Sequence, residues 1–193
     1  MSAREKILNA IKVNKPALVG LPAMDLQQVS SYDDLVAKFT TTLEGIGGRV
    51  LHLNNIGELE SIINDEVQTG KLVYNAMHDI SGKLNSTLSA TALEPVHKAF
   101  IKAGIGIAEN GSVWVKESQM VNRLLPFICQ HLVIVLEKDK LVSTMHHAYQ
   151  QINSFEEGFG LFIAGPSKTA DIEQSLVIGA HGARSLVVYL LDN

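Results

Sequence analysis

The chain contains, at residues 161–173, the stretch LFIAGPSKTADIE. Its four leading apolar residues predict a buried strand, and the apolar positions Ile172, Leu176 and Val177 predict a helix that begins near Ala170. A Gly-Pro-Ser turn joins the two. Because the first N–H groups of a helix have no partner within the helix, and because its dipole favours negative charge there, this arrangement is suited to holding an anion. The stretch therefore predicts a small-molecule site at the carboxyl edge of an α/β sheet.

The composition is that of one globular domain. A chain of 193 residues that is 46% hydrophobic and 19% charged can bury one substantial core. A net charge of −4 and the lack of any Lys/Arg cluster argue against a nucleic-acid binder. The polar N-terminus has no apolar signal segment, and no apolar run is long enough to cross a bilayer. We therefore expect a cytoplasmic protein with no membrane span.

The sequence contains one cysteine, Cys129. One thiol cannot form an intramolecular disulfide, a cysteine-built zinc site or an iron–sulfur cluster, so the chain alone is not expected to carry out redox chemistry. Cys129 follows an apolar pair and is interpreted as a small buried hydrophobe rather than a nucleophile. The histidines share no spacing typical of a metal site. No metal and no cofactor is predicted.

The N-terminal segment is predicted to be separate from the rest of the chain. Ser2 and Glu5 match a capping box, which begins a helix that extends to Val13. Pro16 and Pro22 then interrupt regular structure as far as about residue 26. We expect a helix and linker at residues 1–26, where the helix packs on the domain or on a partner chain, and one α/β domain at residues 27–193.

Helical and strand patterns alternate beyond the linker. This alternation predicts a three-layer α/β fold, with a mixed, mainly parallel sheet covered by helices on both faces. The predicted helices are Ser31–Ile46, Glu58–Val67, Val142–Ile152 and Ala170–Ile178. The predicted strands are Arg49–Leu53, Lys71–Asn75, Val113–Lys116, Leu132–Leu136, Leu161–Ala164 and Ser185–Leu191, and residues Ser81–Thr91 are predicted to form a loop.

Glu109 lies in a Glu-Asn-Gly turn just before a predicted strand. Asn-Gly readily adopts positive φ, so one interpretation is a plain turn with an exposed or capping carboxylate. The other interpretation places Glu109 in a pocket as a base, a nucleophile or an acceptor for a ligand hydroxyl. The sequence leaves both open.

The polar residues after the strand at Leu161–Ala164 are candidate ligand contacts. Ser167 or Thr169 can cap the following helix, and Asp171 suits its first turn. Lys168 adds a positive charge for a phosphate or a carboxylate. The spacing is not that of a Walker loop, and neither a nucleophile elbow nor a dinucleotide-binding glycine motif occurs elsewhere in the chain.

His181 lies between Gly179 and Gly182, which allow close backbone approach. It is therefore either displayed at a pocket mouth or bonded to a nearby loop. Because sites in open α/β sheets lie outside strand ends, we expect Glu109, Arg123, the Gly165–Asp171 turn and His181 to converge at one edge.

Three segments of the chain together resemble the LUD-domain family, the lactate-utilisation C subunit group. They are the turn Ala108–Gly111, the stretch with Arg123, Pro126 and His131, and the segment Gly165–Glu173 continued by Gly179–Ala183. At Ala183 the family usually has proline.

The resemblance implies a fold like that of the ribose-phosphate isomerase, glucosamine-phosphate deaminase and CoA-transferase superfamily. One CoA-transferase group of that superfamily has a catalytic glutamate in a Ser-Glu-Asn-Gly turn that Ala108–Gly111 resembles, which implies a catalytic role for Glu109. His181 is the second candidate catalytic residue. The candidate ligand-binding residues are Arg123, Gly165, Ser167, Lys168, Thr169 and Asp171.

Two hypotheses about function follow from the resemblance. In the first, the chain is a subunit or accessory protein of an L-lactate (hydroxy-acid) utilisation system, in which separate iron–sulfur partner proteins take part in oxidising lactate to pyruvate. In the second, it is a stand-alone transferase or isomerase that binds an acyl-CoA or a sugar phosphate at strand-end loops. Both imply a small anionic ligand.

Overall fold

Strands and helices alternate along the chain, as the sequence predicts. The computed structural model describes residues 2–17, 19–20, 25–26, 29–77, 85–152, 157–168, 178–179 and 181–192. The helices are α1 Ala3–Val13, α2 Leu35–Gly45, α3 Ile56–Gln68, α4 Ala90–Leu93, α5 Glu117–Met120, α6 Leu125–Ile128 and α7 Met145–Gln151. The strands are β1 Arg49–Leu53, β2 Val73–Asn75, β3 Lys98–Lys102, β4 Ile105–Ile107, β5 Ser112–Lys116, β6 His131–Glu137, β7 Leu141–Val142, β8 Gly160–Ile163 and β9 Ser185–Leu191.

A parallel sheet forms the centre of the fold. Within the described residues its strand order is β1-β9-β6-β3-β2, and every neighbouring pair is parallel. Parallel pairing requires crossover connections that place helices on the faces of the sheet. The predicted α/β architecture with a mainly parallel sheet is confirmed.

The two faces of the parallel sheet are buried in different hydrophobic clusters. Alternate residues of a strand point to opposite faces, so Leu132 and Ile134 of β6 join one cluster and Val133 and Val135 join the other. The larger cluster includes Phe39 and Leu43 of α2 and also takes in α4, α5 and α6. The smaller one is covered by α3. Helices therefore pack on both faces, as predicted.

A second sheet was not predicted as a separate unit. In the part of the chain that the structure describes, its strand order is β7-β4-β5-β8, and β5 is antiparallel to both of its neighbours. The sequence analysis missed β4 because Gly106 interrupts its short apolar pattern. A Cβ at Gly106 would collide with the side chains of Leu136 and Leu141, so glycine is needed for close packing at this point.

Several element boundaries differ from the predicted ones because capping or strand pairing sets them. α2 begins at Leu35 rather than Ser31, since the Asp34 side chain accepts the Ala37 N–H at 2.9 Å. The helix predicted at Val142–Ile152 is shorter than expected. Val142 pairs within the second sheet, and α7 begins only at Met145. The missed helix α4 begins at the end of the predicted loop.

The N-terminal helix begins where the sequence predicts, but none of its side chains is buried. Ser2 and Glu5 form the reciprocal capping box. None of the residues of α1 is buried, and Ile7 and Ile11 are 60% and 54% exposed. Its apolar face is therefore exposed within the described structure, and packing against a partner chain remains a prediction.

The Glu-Asn-Gly turn that joins β4 to β5 packs directly on α2. Gly111 has φ +68°, and a Cβ there would lie 2.9 Å from both the Cα and the backbone N of Leu43. Glycine is therefore required at this position for two reasons: the backbone is left-handed, and the backbone of α2 leaves no space for a side chain.

We expect Gly111→Ala to destabilise the protein more than Gly70→Ala. Gly70 has a similar φ of +75° but nothing within 4 Å of its Cβ position, so it isolates the backbone contribution. That contribution is about 1–2 kcal/mol, and the clash with α2 adds about 1–3 kcal/mol at Gly111 alone. Urea unfolding of both variants measures the difference, and equal losses would show that the turn does not depend on contact with α2.

Candidate functional site

The loop after β8 is held between α2 and the segment that precedes β9. Gly165 has φ +72°, and its Cβ position lies 3.1 Å from the carbonyl oxygen of Ile46. The Ser167 N–H donates to the Ala183 carbonyl at 2.9 Å, and the Gly179 N–H donates to the Ser167 carbonyl at 3.1 Å. The two stretches on either side of the predicted helix Ala170–Ile178 thus form one surface.

The helix predicted from Ala170 lies outside the described residues, except for its last residue, Ile178. Thr169, Asp171 and Glu173 lie outside the described residues. Ile178 does not end a helix as predicted, because it pairs with Lys168 in an antiparallel bridge. Since the Ser167 N–H is bonded to Ala183, an anion in front of Ser167 would be held by side chains.

An open cleft of about 350 Å³ lies beside this loop. Its polar side carries the predicted residues Ser167, Lys168 and His181, next to Gly165. Its apolar side is formed by Pro126, Phe127, Leu132, Phe162 and Leu186. Lys168 and His181 are exposed, and Ser167 is half-buried. A cation, a hydroxyl and an imidazole in a cleft also lined by apolar side chains suit a ligand with an anionic group and an apolar part.

The cleft lies at the opposite edge of the parallel sheet from the one predicted. Leu132 and Leu186 are the second residues of β6 and β9, so the cleft lies at the amino-terminal edge of the parallel sheet. The prediction of the carboxyl edge was wrong because it assumed that β8 belongs to the parallel sheet. β8 pairs only with antiparallel β5 among the described residues, and its carboxyl end is therefore free to lie at the amino-terminal edge of β6 and β9.

Glu109 is not among the residues that line the cleft. Its Oε1 accepts the N–H of Met145, the first residue of α7, at 2.6 Å. Asn110 Oδ1 accepts both the N–H of Ser112 and its hydroxyl, which closes the predicted turn. The structure therefore uses this carboxylate to cap a helix, as in the first of the two interpretations, and its catalytic role remains a prediction.

Arg123 also lies apart from the cleft lining. Its guanidinium makes two hydrogen bonds to the carboxylate of Glu117, at 2.7 and 2.9 Å, and lies 4.7 Å from the ring centroid of Phe159. This bidentate pair lowers the pKa of Glu117 through the hydrogen bond from Arg123. This pair uses two of the five guanidinium N–H donors, so any ligand bound by Arg123 would be held by the donors that remain.

Cys129 is buried, with 1% of its surface exposed, and burial raises its pKa to about 12. The thiol is therefore protonated at neutral pH and is a poor nucleophile, in line with the sequence interpretation.

Sequence reasoning missed the apolar wall of the cleft. In the sequence, an apolar residue that lines a cleft looks the same as one in the core, and this applies to Phe127, Leu132 and Leu186. Phe127 is 47% exposed, so it presents apolar surface to solvent beside the cleft.

The sequence profile of the LUD domain matches residues 91–191. This chain belongs to the LUD domain family. The match covers the β4–β5 turn, the helix α6 and both segments that form the cleft. The resemblance that the sequence motifs indicated is thereby confirmed.

Curated relatives of this LUD domain include two named Lactate utilization protein C. The one from Bacillus pumilus (strain SAFR-032) is 34% identical over 93 residues, which are 45% of this chain and 39% of that protein. The one from Geobacillus kaustophilus (strain HTA426) is 28% identical over 130 residues, 64% of this chain and 52% of that protein. The matches thus span between about two fifths and half of these relatives' length.

A solved structure supports the fold. A DUF162 family protein from Deinococcus radiodurans matches 81% of this LUD domain chain and 96% of its own chain, with a TM-score of 0.61 and 17% sequence identity. Among the residues described here, no helix has both the length and the apolar character that crossing a bilayer would take. The same residues include no group of three or more His, Cys, Asp or Glu arranged to hold a metal.

We expect Glu109→Ala to destabilise the protein by about 1 kcal/mol, the usual cost of losing a helix cap. Glu109→Gln should cost less, because an amide oxygen can still accept the Met145 N–H. Urea unfolding measures both, and Glu60→Ala on the exposed side of α3 serves as the control. If Glu109→Ala is as stable as the wild type, the carboxylate is not needed to cap α7 and the second interpretation of Glu109 gains weight.

Proposed function

We propose that this LUD-domain protein is a cytoplasmic subunit or accessory protein of an L-lactate or related hydroxy-acid utilisation system. The names of the curated relatives support the system, although the matches cover no more than 52% of the two relatives described above. The observation that carries the proposal is the cleft, whose polar side is built from the two motif segments inside the matched family region.

In this proposal the cleft holds a small anionic ligand, such as a carboxylate or a phosphate. Lys168 supplies the charge, the Ser167 hydroxyl supplies a donor, and His181 supplies a second donor at the exposed rim. Arg123, Thr169 and Asp171 remain predicted contributors.

Iron–sulfur partner proteins are implied by the resemblance to the lactate-utilisation C subunit group, and the electron balance of the reaction is consistent with an acceptor outside this chain. Oxidising lactate to pyruvate releases two electrons and two protons. A chain with one thiol cannot hold a cluster to accept those electrons. We therefore propose that iron–sulfur subunits accept them and that the exposed helix α1 is one candidate contact.

The apolar wall favours a second candidate ligand class. A cleft of about 350 Å³ bordered by Phe127, Leu132 and Leu186 also suits an acyl chain or another apolar group attached to the anion. This observation supports the alternative of a transferase or isomerase that binds an acyl-CoA or a larger phosphorylated ligand.

We expect Lys168→Met and Ser167→Ala each to weaken ligand binding about tenfold, the effect of losing one charge-assisted hydrogen bond. The measurement is a calorimetric titration with phosphate, L-lactate, pyruvate, CoA and an acyl-CoA. Lys140→Met, an exposed lysine paired with Asp139, is the matched control. Binding of an acyl-CoA in preference to lactate or pyruvate would favour the second candidate, and equal affinities in all variants would exclude the cleft as the binding site.

We expect a strain that lacks this protein to lose growth on L-lactate while it keeps growth on glucose. The wild-type gene should restore growth, and the Lys168→Met gene should restore it poorly if the cleft serves this pathway. Western blotting controls for the amount of protein. Unchanged growth of the deletion strain on L-lactate would contradict the proposed system, whatever the titrations show.

A further inference from the structure

A group of basic side chains lies on the other face of the parallel sheet, at the same amino-terminal edge as the cleft. Leu132 and Leu186 point to the cleft, so the residues before them, His131 and Ser185, point to the face that α3 covers. These two residues are opposite each other in the register, and His131 Nδ1 lies 2.8 Å from Ser185 Oγ. That hydrogen bond fixes the ring and leaves Nε2 for another partner.

Further cationic groups lie near the first residues of the neighbouring strands β2 and β3. The ring of His97 lies 4.8 Å from that of His131, edge to face, and its Nε2 lies 3.2 Å from the Nζ of Lys71. Since an ammonium group can only donate, His97 accepts at Nε2. Lys98 forms a salt bridge with Glu66 of α3. Lys71, His97, Lys98, His131 and Glu66 are together called the His97–His131 cluster.

The cluster has a surplus of positive charge in a chain whose net charge is −4. Among the described residues that act electrostatically on both rings, Lys71 and Lys98 are permanent cations, and Glu66, which acts on His97, is the single carboxylate. The surplus is one charge while both rings are neutral, and it becomes two when one ring takes up a proton. Both rings are half-buried, and the Lys98 side chain is 20% exposed. A proton on a half-buried ring beside these cations is disfavoured unless an anion compensates it.

We propose that the His97–His131 cluster binds a tetrahedral, doubly charged oxyanion, such as the phosphoryl group of a ligand. Lys71 would turn from His97 to the anion, and the Nε2 atoms of His97 and His131 would each be able to carry a proton toward it. A dianion matches the two positive charges that the cluster carries once one ring has taken up a proton. This site is distinct from the cleft, because the sheet separates the two, and it is independent of the proposed function.

The cluster links anion binding to proton uptake. Burial lowers the pKa of both rings, and so do Lys71 and Lys98, whereas Glu66 acts in the opposite direction on His97. The pKa of His131 is lowered further by the nearby His97 and Arg184. Both rings are therefore uncharged near neutral pH. A bound dianion raises both pKa values, so binding takes up protons and becomes tighter as the pH falls.

The test uses sulfate, which stays doubly charged from about pH 5.5 to pH 7.5, so that any change in affinity within that range reports the protein. NMR follows the C2 proton of each histidine, assigned through single His→Gln variants. We expect sulfate to shift His97 and His131 and to raise their pKa values. A rise of one pKa unit in one ring corresponds to about tenfold tighter binding at the acid end of the range.

Matched variants separate a binding site from general charge. Lys71→Met should weaken sulfate binding at least tenfold, whereas Lys140→Met and the exposed-histidine variant His52→Gln should not change it. Because Lys71 is exposed, its variant should remain folded even if His131→Gln does not. Sulfate that shifts only His181 would assign binding to the cleft alone. That outcome, or equal binding by Lys71→Met and the wild type, would overturn the proposal.

Discussion

The parallel pairing of β6 with β9 sets the register on which both candidate sites depend. His131 lies opposite Ser185, and Leu132 lies opposite Leu186. Because side chains alternate across a strand, one pair faces α3 and the other faces the cleft. A shift of one residue would exchange polar and apolar groups between the two faces. The buried residues that follow in both strands, from Ile134 and Val188 onward, make such a shift costly.

The carboxyl end of α2 is the second constraint. Gly111 packs on Leu43, and Gly165 packs on Ile46, so one helix end positions both the Glu-Asn-Gly turn and the loop after β8. A Cβ atom at Gly47, the residue after Ile46, would lie 3.5 Å from Lys168 Nζ. The two motif segments are thus neighbours through α2, although the Glu109 carboxylate turns away from the cleft toward α7. The two segments therefore lie close together without all of their side chains reaching the cleft.

Charge is unevenly distributed in this acidic chain. The amino-terminal edge of the parallel sheet carries Lys168 and His181 on one side, and Lys71, His97 and His131 on the other. No sequence window shows this, because these residues come from five separate stretches and lie far apart in the chain. An electropositive edge attracts anions over about a Debye length of roughly 10 Å, which favours small anionic ligands over neutral ones. The negative net charge elsewhere works against long polyanions such as nucleic acid.

Local chemistry determined what the sequence could reveal by itself. The capping box at Ser2 and Glu5, the Asn-Gly turn at Gly111, the alternation of strands with helices and the inability of one cysteine to hold a cluster all depend on residues close together in the chain. Only the tertiary structure decided that the strands divide into two sheets, that the loop after β8 reaches the amino-terminal edge, and that Glu109 caps α7. These outcomes depend on strand pairing and packing between distant segments, which local periodicity does not encode.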